Sequence, residues 1–160
     1  ATVDFALGSN TTGSDNTAIG AEVLDNNTTG ADNTATGAFA LQDNSTGIQT
    51  TAIGSAALLN SNGDNNTAIG AAALTNNTSG NSNIALGFAA GSGVSTASSV
   101  IALGIAAENV SNSCYIGRIY SNIQPQVGTD PDLVTINSSG RLGRGNVSWR
   151  RYKHDIKPNA

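Results

Sequence analysis

The stretch "DNTAIGAEVLDNNTTGA", Asp15–Ala31, is followed directly by a second version of itself, "DNTATGAFALQDNSTGI", Asp32–Ile48. Both versions consist mainly of Asn, Thr, Ala and Gly, with few large apolar side chains. The glycine that closes the "A-[ILT]-G" core recurs at steps of 17, 17, 16, 17 and 17 residues. Regular repeats of this length are typical of solenoids, in which each unit stacks on its neighbours. The glycines of this series are Gly20, Gly37, Gly54, Gly70, Gly87 and Gly104.

Other features of the repeat keep the same spacing. Flanking copies of the core, "ALG" and "YIG", end at Gly8 and Gly117, at shorter steps of 12 and 13 residues. In four copies, a leucine lies five positions after the residue that precedes the core glycine. In the next two copies, this position contains Gly91 and Glu108. The repeat therefore degrades toward its C-terminal end. A second glycine series consists of Gly13, Gly30, Gly47, Gly63 and Gly80.

The composition also favours an elongated, regular fold. Of the 160 residues, 19 are glycine, 11% are charged and 4% are aromatic. A compact globule of this length normally has more large side chains in its core, whereas disordered chains are usually highly charged or rich in proline. No apolar run approaches the roughly 18 residues of a membrane-spanning helix. We therefore expect a thin-cored fold that does not insert into a membrane.

Charge divides the chain near Gly117. All seven Lys and Arg residues lie at or after Arg118. Residues 1–117 carry a formal charge of −8, and residues 118–160 carry +4. This composition shift indicates a boundary between an acidic repeat region and a basic C-terminal region.

Each 17-residue unit has room for two short strands and two turns. "N-T-A-I-G" alternates in the manner of a strand, and "N-N-T-T-G" is typical of a turn because Asn and Gly tolerate left-handed backbone angles. Stacking at about 4.8 Å aligns equivalent residues in columns. We expect the large apolar columns to form the core, with Ile19, Ile53 and Ile69 facing inward. The candidate core residues are Ile19, Leu24, Leu41, Ile53, Leu58, Ile69, Leu74, Leu86, Leu103 and Ile116.

Two further columns contain small or polar side chains. The alanine column allows another backbone to approach closely, and the asparagine column, which includes Asn16, Asn33 and Asn66, can form side-chain hydrogen bonds along the stack. Two large apolar columns are too few to close a wide solenoid, so we expect chains to associate through the face left uncovered, with cyclic symmetry. The periodicity alone does not give the number of chains. The alanines are Ala18, Ala35, Ala52, Ala68, Ala85 and Ala102.

The repeats "NTAIGAEVL", "NTATGAFAL" and "NTAIGAAAL" resemble the head repeats of trimeric autotransporter adhesins and related fibre proteins. The resemblance covers roughly residues 5–117. It implies an all-β fold, a left-handed parallel β-roll or solenoid, in an intertwined homotrimer with the "AIG" strands near the three-fold axis. It also implies an extracellular location on a cell surface, a secreted fibre or a virion.

The C-terminal region resembles a different family. The segments "NSCYIGRIY", "LVTINSSGRLG" and "SWRRYKHDIKP" occur in the order seen ahead of the self-cleaving intramolecular chaperone domains of phage tail spikes and fibres. The resemblance implies a short β-rich neck containing a β-hairpin over residues 118–147, after the repeat domain of residues 1–117. Residues 148–160 match the start of the chaperone segment, which makes Ser148 a candidate cleavage position. Trp149 departs from the family pattern, where Asp or Ser is more usual.

Single reactive residues give weaker signals. Cys114 has no partner cysteine in the chain and is expected to be a buried small side chain. His154 is expected to be solvated. The basic cluster over residues 144–157 lacks a recognisable nucleic-acid module, so we expect no nucleic-acid partner. We also expect no metal, no cofactor and no catalytic site.

Three classes of function remain after these observations. The first is a structural segment of an extracellular or phage tail fibre, which gives rigid extension and joins end to end. The second is an adhesin head that binds a host surface or glycan, which stays open because such rolls can bind without a pocket visible in sequence. An ice-binding face is disfavoured because Ile84 and Ile101 interrupt the threonine column. The third is a hexapeptide-type acyltransferase, which is disfavoured because that fold has an aliphatic residue at every sixth position.

Overall fold

The computed structural model describes residues 5–117 and the backbone of two later strands, Val134–Ile136 and Leu142–Arg144. The chain divides into two compact units, residues 1–119 and residues 120–160. The residues that the structure describes contain strands and turns but no helix. The predicted all-β class is therefore confirmed for this part of the chain.

The first unit is a β-solenoid in which each coil contributes one three-residue strand. The seven strands form one parallel sheet in sequence order. Their register follows the repeat, with Ala18 opposite Ala35 and Ala52 opposite Ala68, so the predicted stacking of coils is confirmed. The strands, named β1 to β7, are Thr17–Ile19, Thr34–Thr36, Thr51–Ile53, Thr67–Ile69, Ile84–Leu86, Ile101–Leu103 and Cys114–Ile116.

The rest of each coil consists of turns, where the sequence predicted a second strand. Left-handed backbone angles bend the chain at three points per coil, for example at Glu22, Leu24 and Asp32, whose φ values are 54°, 51° and 58°. A strand cannot continue through such residues, because left-handed angles break the extended backbone. The turns still pair between coils, and the Leu24 amide donates to the Ala40 carbonyl at 3.1 Å.

The core lies between the alanines of the strands and the leucines of the turns. Leu24, Leu41, Leu58 and Leu74 are at most 1% exposed. Sequence reasoning missed Val23, which is fully buried beside Leu24. Two consecutive residues point inward here because the left-handed angles on either side replace the normal alternation of a strand. The central alanines of β2 to β6, also buried, are Ala35, Ala52, Ala68, Ala85 and Ala102.

The predicted inward placement of the isoleucine column is corrected by the structure. Within one chain, Ile19 is 58% exposed, and Ile53 and Ile69 are about 40% exposed. Leu86 and Ile116 are equally exposed and Leu103 is half-buried, so these candidates also lie outside the core of the chain. The reason is the alternation of side chains along a strand: the alanine at the centre of each strand faces the interior, which turns its two neighbours outward.

Buried asparagines link each coil to the next. The side-chain nitrogen of Asn33 donates to the Gly47 carbonyl at 2.8 Å, and its oxygen accepts from the Thr50 amide at 3.0 Å. Asn16 and Asn66 make equivalent bonds to their following coils. A further buried column, which the sequence did not predict, holds the turns at Gly30, Gly47 and Gly80. Its asparagines are Asn27, Asn44 and Asn77.

Both asparagine columns end at valines in the fifth coil. Val94 and Val100 occupy the positions of Asn77 and Asn83 one coil earlier, and both are fully buried. The same coil lacks the core leucine, which is replaced by Gly91. A Cβ at Gly91 would lie 2.8 Å from a methyl carbon of Leu74, so this leucine fills the space. The loss of the leucine is therefore accompanied by new apolar contacts.

Two shortened coils use asparagine side chains in place of a backbone carbonyl. In full-length coils, the amides of Thr28, Thr29 and Gly30 all donate to the Ser45 carbonyl. In the 16-residue coil, the side-chain oxygen of Asn62 accepts from the Ser45 and Thr46 amides at 2.7 and 3.3 Å. In the last, shorter coil, the side-chain oxygen of Asn109 accepts from three amides. These are the amides of Ser95, Thr96 and Ala97.

The two flanking copies of the core differ in their outcome. "YIG" forms β7, and the Gly117 amide donates to the Leu103 carbonyl at 2.8 Å, as the core predicts. "ALG" does not form a strand equivalent to the "A-I-G" motif. Leu7 instead lies in the leucine column, since its amide donates to the Val23 carbonyl as that of Leu24 donates to Ala40. Leu7 and Leu24 are 17 residues apart, so the N-terminal copy has the normal repeat length when it is aligned by its leucine.

In the second unit, the structure describes one pair of strands. β8, Val134–Ile136, pairs antiparallel with β9, Leu142–Arg144, and Ile136 lies opposite Leu142. This pair lies within the segment for which the resemblance implies a hairpin-containing neck. Ser148 and the rest of residues 145–160 lie outside the described residues.

Candidate interaction surface

The solenoid presents one face that is defined by its sheet. We use the term "outer face" for the first and third side chains of strands β1 to β7, which flank the inward-facing central residue of each strand. This central residue is alanine in β1 to β6 and Tyr115 in β7. In the first column, these residues are Thr17, Thr34, Thr51, Thr67, Ile84, Ile101 and Cys114. In the second column, they are Ile19, Thr36, Ile53, Ile69, Leu86, Leu103 and Ile116.

The chemistry of the outer face changes along the solenoid. In β1 to β4, every first position is threonine, and one third position, Thr36, is also threonine. In β5 and β6, all four positions are isoleucine or leucine. The side chains of Ile84, Leu86 and Ile101 remain 38–41% exposed. The face is therefore mixed at its N-terminal end and fully apolar toward its C-terminal end.

Two more large apolar side chains are exposed directly after the apolar strands. Phe88 and Ile105 each follow the glycine directly after a strand, β5 and β6 respectively. Phe88 is 81% exposed and Ile105 is 39% exposed. The equivalent positions in earlier coils contain alanine or serine, for example Ala38 and Ser55. Large exposed apolar side chains are therefore more numerous in the last coils than at these positions of the earlier ones.

The outer face contains no charged residue, although the solenoid around it is acidic. Residues 5–117 include seven acidic residues and no Lys or Arg. All seven lie in the turns and corners, as Asp15, Asp32 and Asp43 do. Residues 65–107, which span β4 to β6 and their turns, contain no charged residue at all. Like charges are thus kept away from the sheet.

The remaining sequence candidates are distributed as follows. Cys114 was expected to be buried, but it is exposed, because it occupies the first position of β7 on the outer face. Ser148 and His154 lie outside the described residues. Of the ten candidate core residues, four lie together in the interior, and the other six belong to the outer face. The four interior residues are Leu24, Leu41, Leu58 and Leu74.

The interior of the solenoid is fully bonded and offers no open polar site. Within residues 5–117, every buried side-chain nitrogen and oxygen has a hydrogen-bond partner. In the same range, no cluster of three or more His, Cys, Asp and Glu side chains is placed to bind a metal ion. None of the described residues belongs to a helix of sufficient length and hydrophobicity to cross a membrane. The outer face is therefore the most distinctive surface of the described chain.

Comparisons with known proteins do not assign the chain to a family. No protein-family model, curated protein or solved structure matches it. Function is therefore inferred from the fold and from the chemistry of the outer face.

Proposed function

We propose that this chain is a structural segment of a trimeric extracellular or phage tail fibre, which provides rigid extension. Support comes from one observation above all: a parallel β-solenoid exposes a continuous, uncharged and largely apolar column along its sheet. Soluble monomers rarely leave contiguous apolar surfaces of this kind uncovered, and such surfaces commonly mark binding to another protein.

The energetic reason is burial of the outer face. Ile53, Ile69 and Leu86 each keep about 40% of their surface in water. Fully burying an isoleucine or leucine is worth roughly 1.5–3 kcal/mol, so covering the remaining fraction contributes about 1 kcal/mol for each side chain. The contribution repeats at every coil. A long stack can therefore bind through many small contributions without any deep pocket.

Copies of the same chain are the simplest occupants of this face. A second solenoid has the same spacing of about 4.8 Å between coils, so its side chains stay in register along the whole length. Cyclic symmetry closes such an assembly and leaves no apolar face uncovered. The number three comes from the resemblance to trimeric adhesin heads.

Rigid extension follows from the stacking itself. Six coil-to-coil steps separate β1 from β7, and at about 4.8 Å per step the sheet is roughly 29 Å long. Each step is held by backbone hydrogen bonds and by a buried asparagine or threonine over most of the stack. Bending the stack would require these bonds to lengthen on one side.

The same architecture supports assembly of trimers end to end. In the described sheet, β1 pairs only with β2, and β7 pairs only with β6. Strand edges of this kind accept further strands unless another segment covers them. The charges of the two chain regions, −8 and +4, become about −24 and +12 in a trimer, which favours contact between the acidic body of one trimer and the basic region of the next.

Sedimentation velocity of the full chain, together with electron microscopy, tests the proposal. We expect a trimer with an elongated, rod-like shape. A compact monomer at all accessible concentrations would contradict the proposed function. A binding activity on glycan arrays without any assembly would instead favour the adhesin alternative.

A further inference from the structure

We propose that copies of this chain bind one another mainly through the C-terminal half of the outer face, formed by β5 to β7 with Phe88 and Ile105. The N-terminal half, β1 and β2, contributes little. This inference rests on the proposed self-association and specifies which part of the surface carries it.

The first support is the change in side-chain chemistry along the face. Thr17, Thr34 and Thr36 present hydroxyl groups at the N-terminal end, where association would remove them from water. Removing a hydroxyl from water without a replacement hydrogen bond is unfavourable. Ile84 and Leu86 in β5 carry no such cost, and both remain about 41% exposed in the single chain.

The second support is the unusual exposure of Phe88. It is 81% exposed, the highest value among the large apolar side chains of the described residues. Aromatic side chains of this type are enriched at the buried centres of protein interfaces. Ile105 lies at the equivalent position of the next coil and is 39% exposed. Together they add exposed apolar surface directly after the most apolar strands.

The distribution of charge favours another copy of this chain as the occupant. Six of the seven acidic residues within residues 5–117 lie at or before Asp64, and the seventh is Glu108. Two copies that met through their N-terminal coils would bring these acids near one another. Copies that meet through β5 and β6 approach along coils without any charge. A basic partner would, in contrast, be drawn to the acidic N-terminal turns.

Matched aspartate substitutions at the two ends of one column provide the test. Leu86→Asp and Leu103→Asp place a charge in the proposed interface, whereas Ile19→Asp and Thr36→Asp place the same charge at the other end. All four positions point away from the core of the chain. Each full-length variant is examined by sedimentation velocity over a dilution series. Circular dichroism verifies that each variant folds.

We expect the C-terminal variants to raise the concentration at which the assembly dissociates by roughly 100-fold or more, and the N-terminal variants to raise it by no more than about threefold. Equal effects at the two ends would overturn the inference and leave the proposed function intact. A wild-type chain that never associates would contradict both.

A gentler pair of variants covers the case in which an aspartate prevents folding. Leu86→Thr gives β5 the third residue of β2, and Thr36→Ile gives β2 the third residue of β1 and β3. We expect the first to weaken association by roughly 10-fold and the second to change it by less than about threefold. A stronger effect of Thr36→Ile than of Leu86→Thr would contradict the inference.

Cys114 supplies an independent measurement. It is the only cysteine in the chain and lies on the outer face at β7, within the proposed interface. Its alkylation rate with iodoacetamide should fall by about 10-fold or more as the wild-type chain associates, because covered thiols react slowly. An unchanged rate over the concentration range in which the chain assembles would place the contact elsewhere.

Discussion

Asn33 does more for this fold than any apolar residue of its coil could do at the same position. It is fully buried, and its side chain bonds the Gly47 carbonyl and the Thr50 amide of the following coil. Both backbone groups lie in the thin interior of the stack, where water does not replace a missing partner. Buried polar groups left unpaired destabilise a protein more than a typical hydrogen bond stabilises it.

Replacing this residue should therefore be costly. We expect Asn33→Ala to lower the free energy of unfolding by about 3 kcal/mol, because two buried backbone groups lose their partners. Urea unfolding followed by circular dichroism at a fixed protein concentration measures the effect. Asn26→Ala is the matched control, since Asn26 is exposed and its side chain donates only to the Asp43 carboxylate. Its effect should stay below about 1 kcal/mol. Equal losses in the two variants would contradict the structural role of Asn33.

At the scale of one coil, the glycine after each strand sets how closely successive coils approach. Gly54 has a φ of 132°, and a Cβ at this position would lie 2.6 Å from the carbonyl carbon of Gly70. Neither the angle nor the space suits any other residue. Gly104 follows β6 with a φ of 63°, but a Cβ there would meet no atom within 4 Å.

These two glycines give a matched pair of substitutions. Gly54→Ala should destabilise the solenoid by roughly 3 kcal/mol or more, since backbone atoms of two coils must separate. In Gly104→Ala, only the left-handed backbone angle is unfavourable, so we expect the free energy of unfolding to fall by about 1 kcal/mol. Thermal unfolding of both variants measures the two losses of stability. If Gly104→Ala were the more damaging of the two, close approach between coils would not be the reason for the glycine.

The sequence was sufficient to predict the stack of coils but not the direction of every column. The 17-residue spacing predicted the strand register and the buried leucines because both depend on translation along the stack. It did not reveal that Ile53 faces away from the core, because an apolar residue between Ala and Gly suits either side of a thin sheet. The informative signal was Ala52 and its equivalents, which stay small in β1 to β6 while their neighbours vary. The buried position of Asn44 likewise depends on left-handed corners that have no fixed sequence.

At the scale of the whole molecule, the outer face governs assembly. We expect Ile53→Asp to leave the single chain folded, because Ile53 is already 40% exposed. In a trimer the change introduces three carboxylates close together, each of which costs several kcal/mol when it is buried. We therefore expect the oligomer to dissociate, as sedimentation velocity would show.

Asn65→Asp is the control for this prediction. It adds the same charge at an exposed corner at the start of the next coil, where Asp15 and Asp32 occupy the equivalent positions of other coils. This variant should sediment as the wild type does. An Ile53→Asp chain that remains trimeric and melts within a few degrees of the wild type would exclude β3 from the interface.

Filament length should depend on ionic strength if trimers join through opposite charges. Light scattering and electron microscopy at low and high salt measure that length. We expect filaments to shorten as salt rises, because the screening length falls from about 30 Å at 0.01 M to about 3 Å at 1 M. Isolated trimers under every condition would rule out end-to-end assembly.

The asparagine ladder also gives the stack a direction of growth and a point of termination. The side chain of Asn83 is satisfied only by the coil that follows it, through the Ala97 carbonyl and the Val100 amide. During synthesis, which delivers the N-terminal coils first, each of these asparagines therefore displays a side-chain amide whose partners arrive with the next coil. Thr50 presents a hydroxyl at the same position of its coil. Val100 brings no such group. The ladder ends at this residue, so the final coil buries no polar side chain that lacks a hydrogen-bond partner at this position.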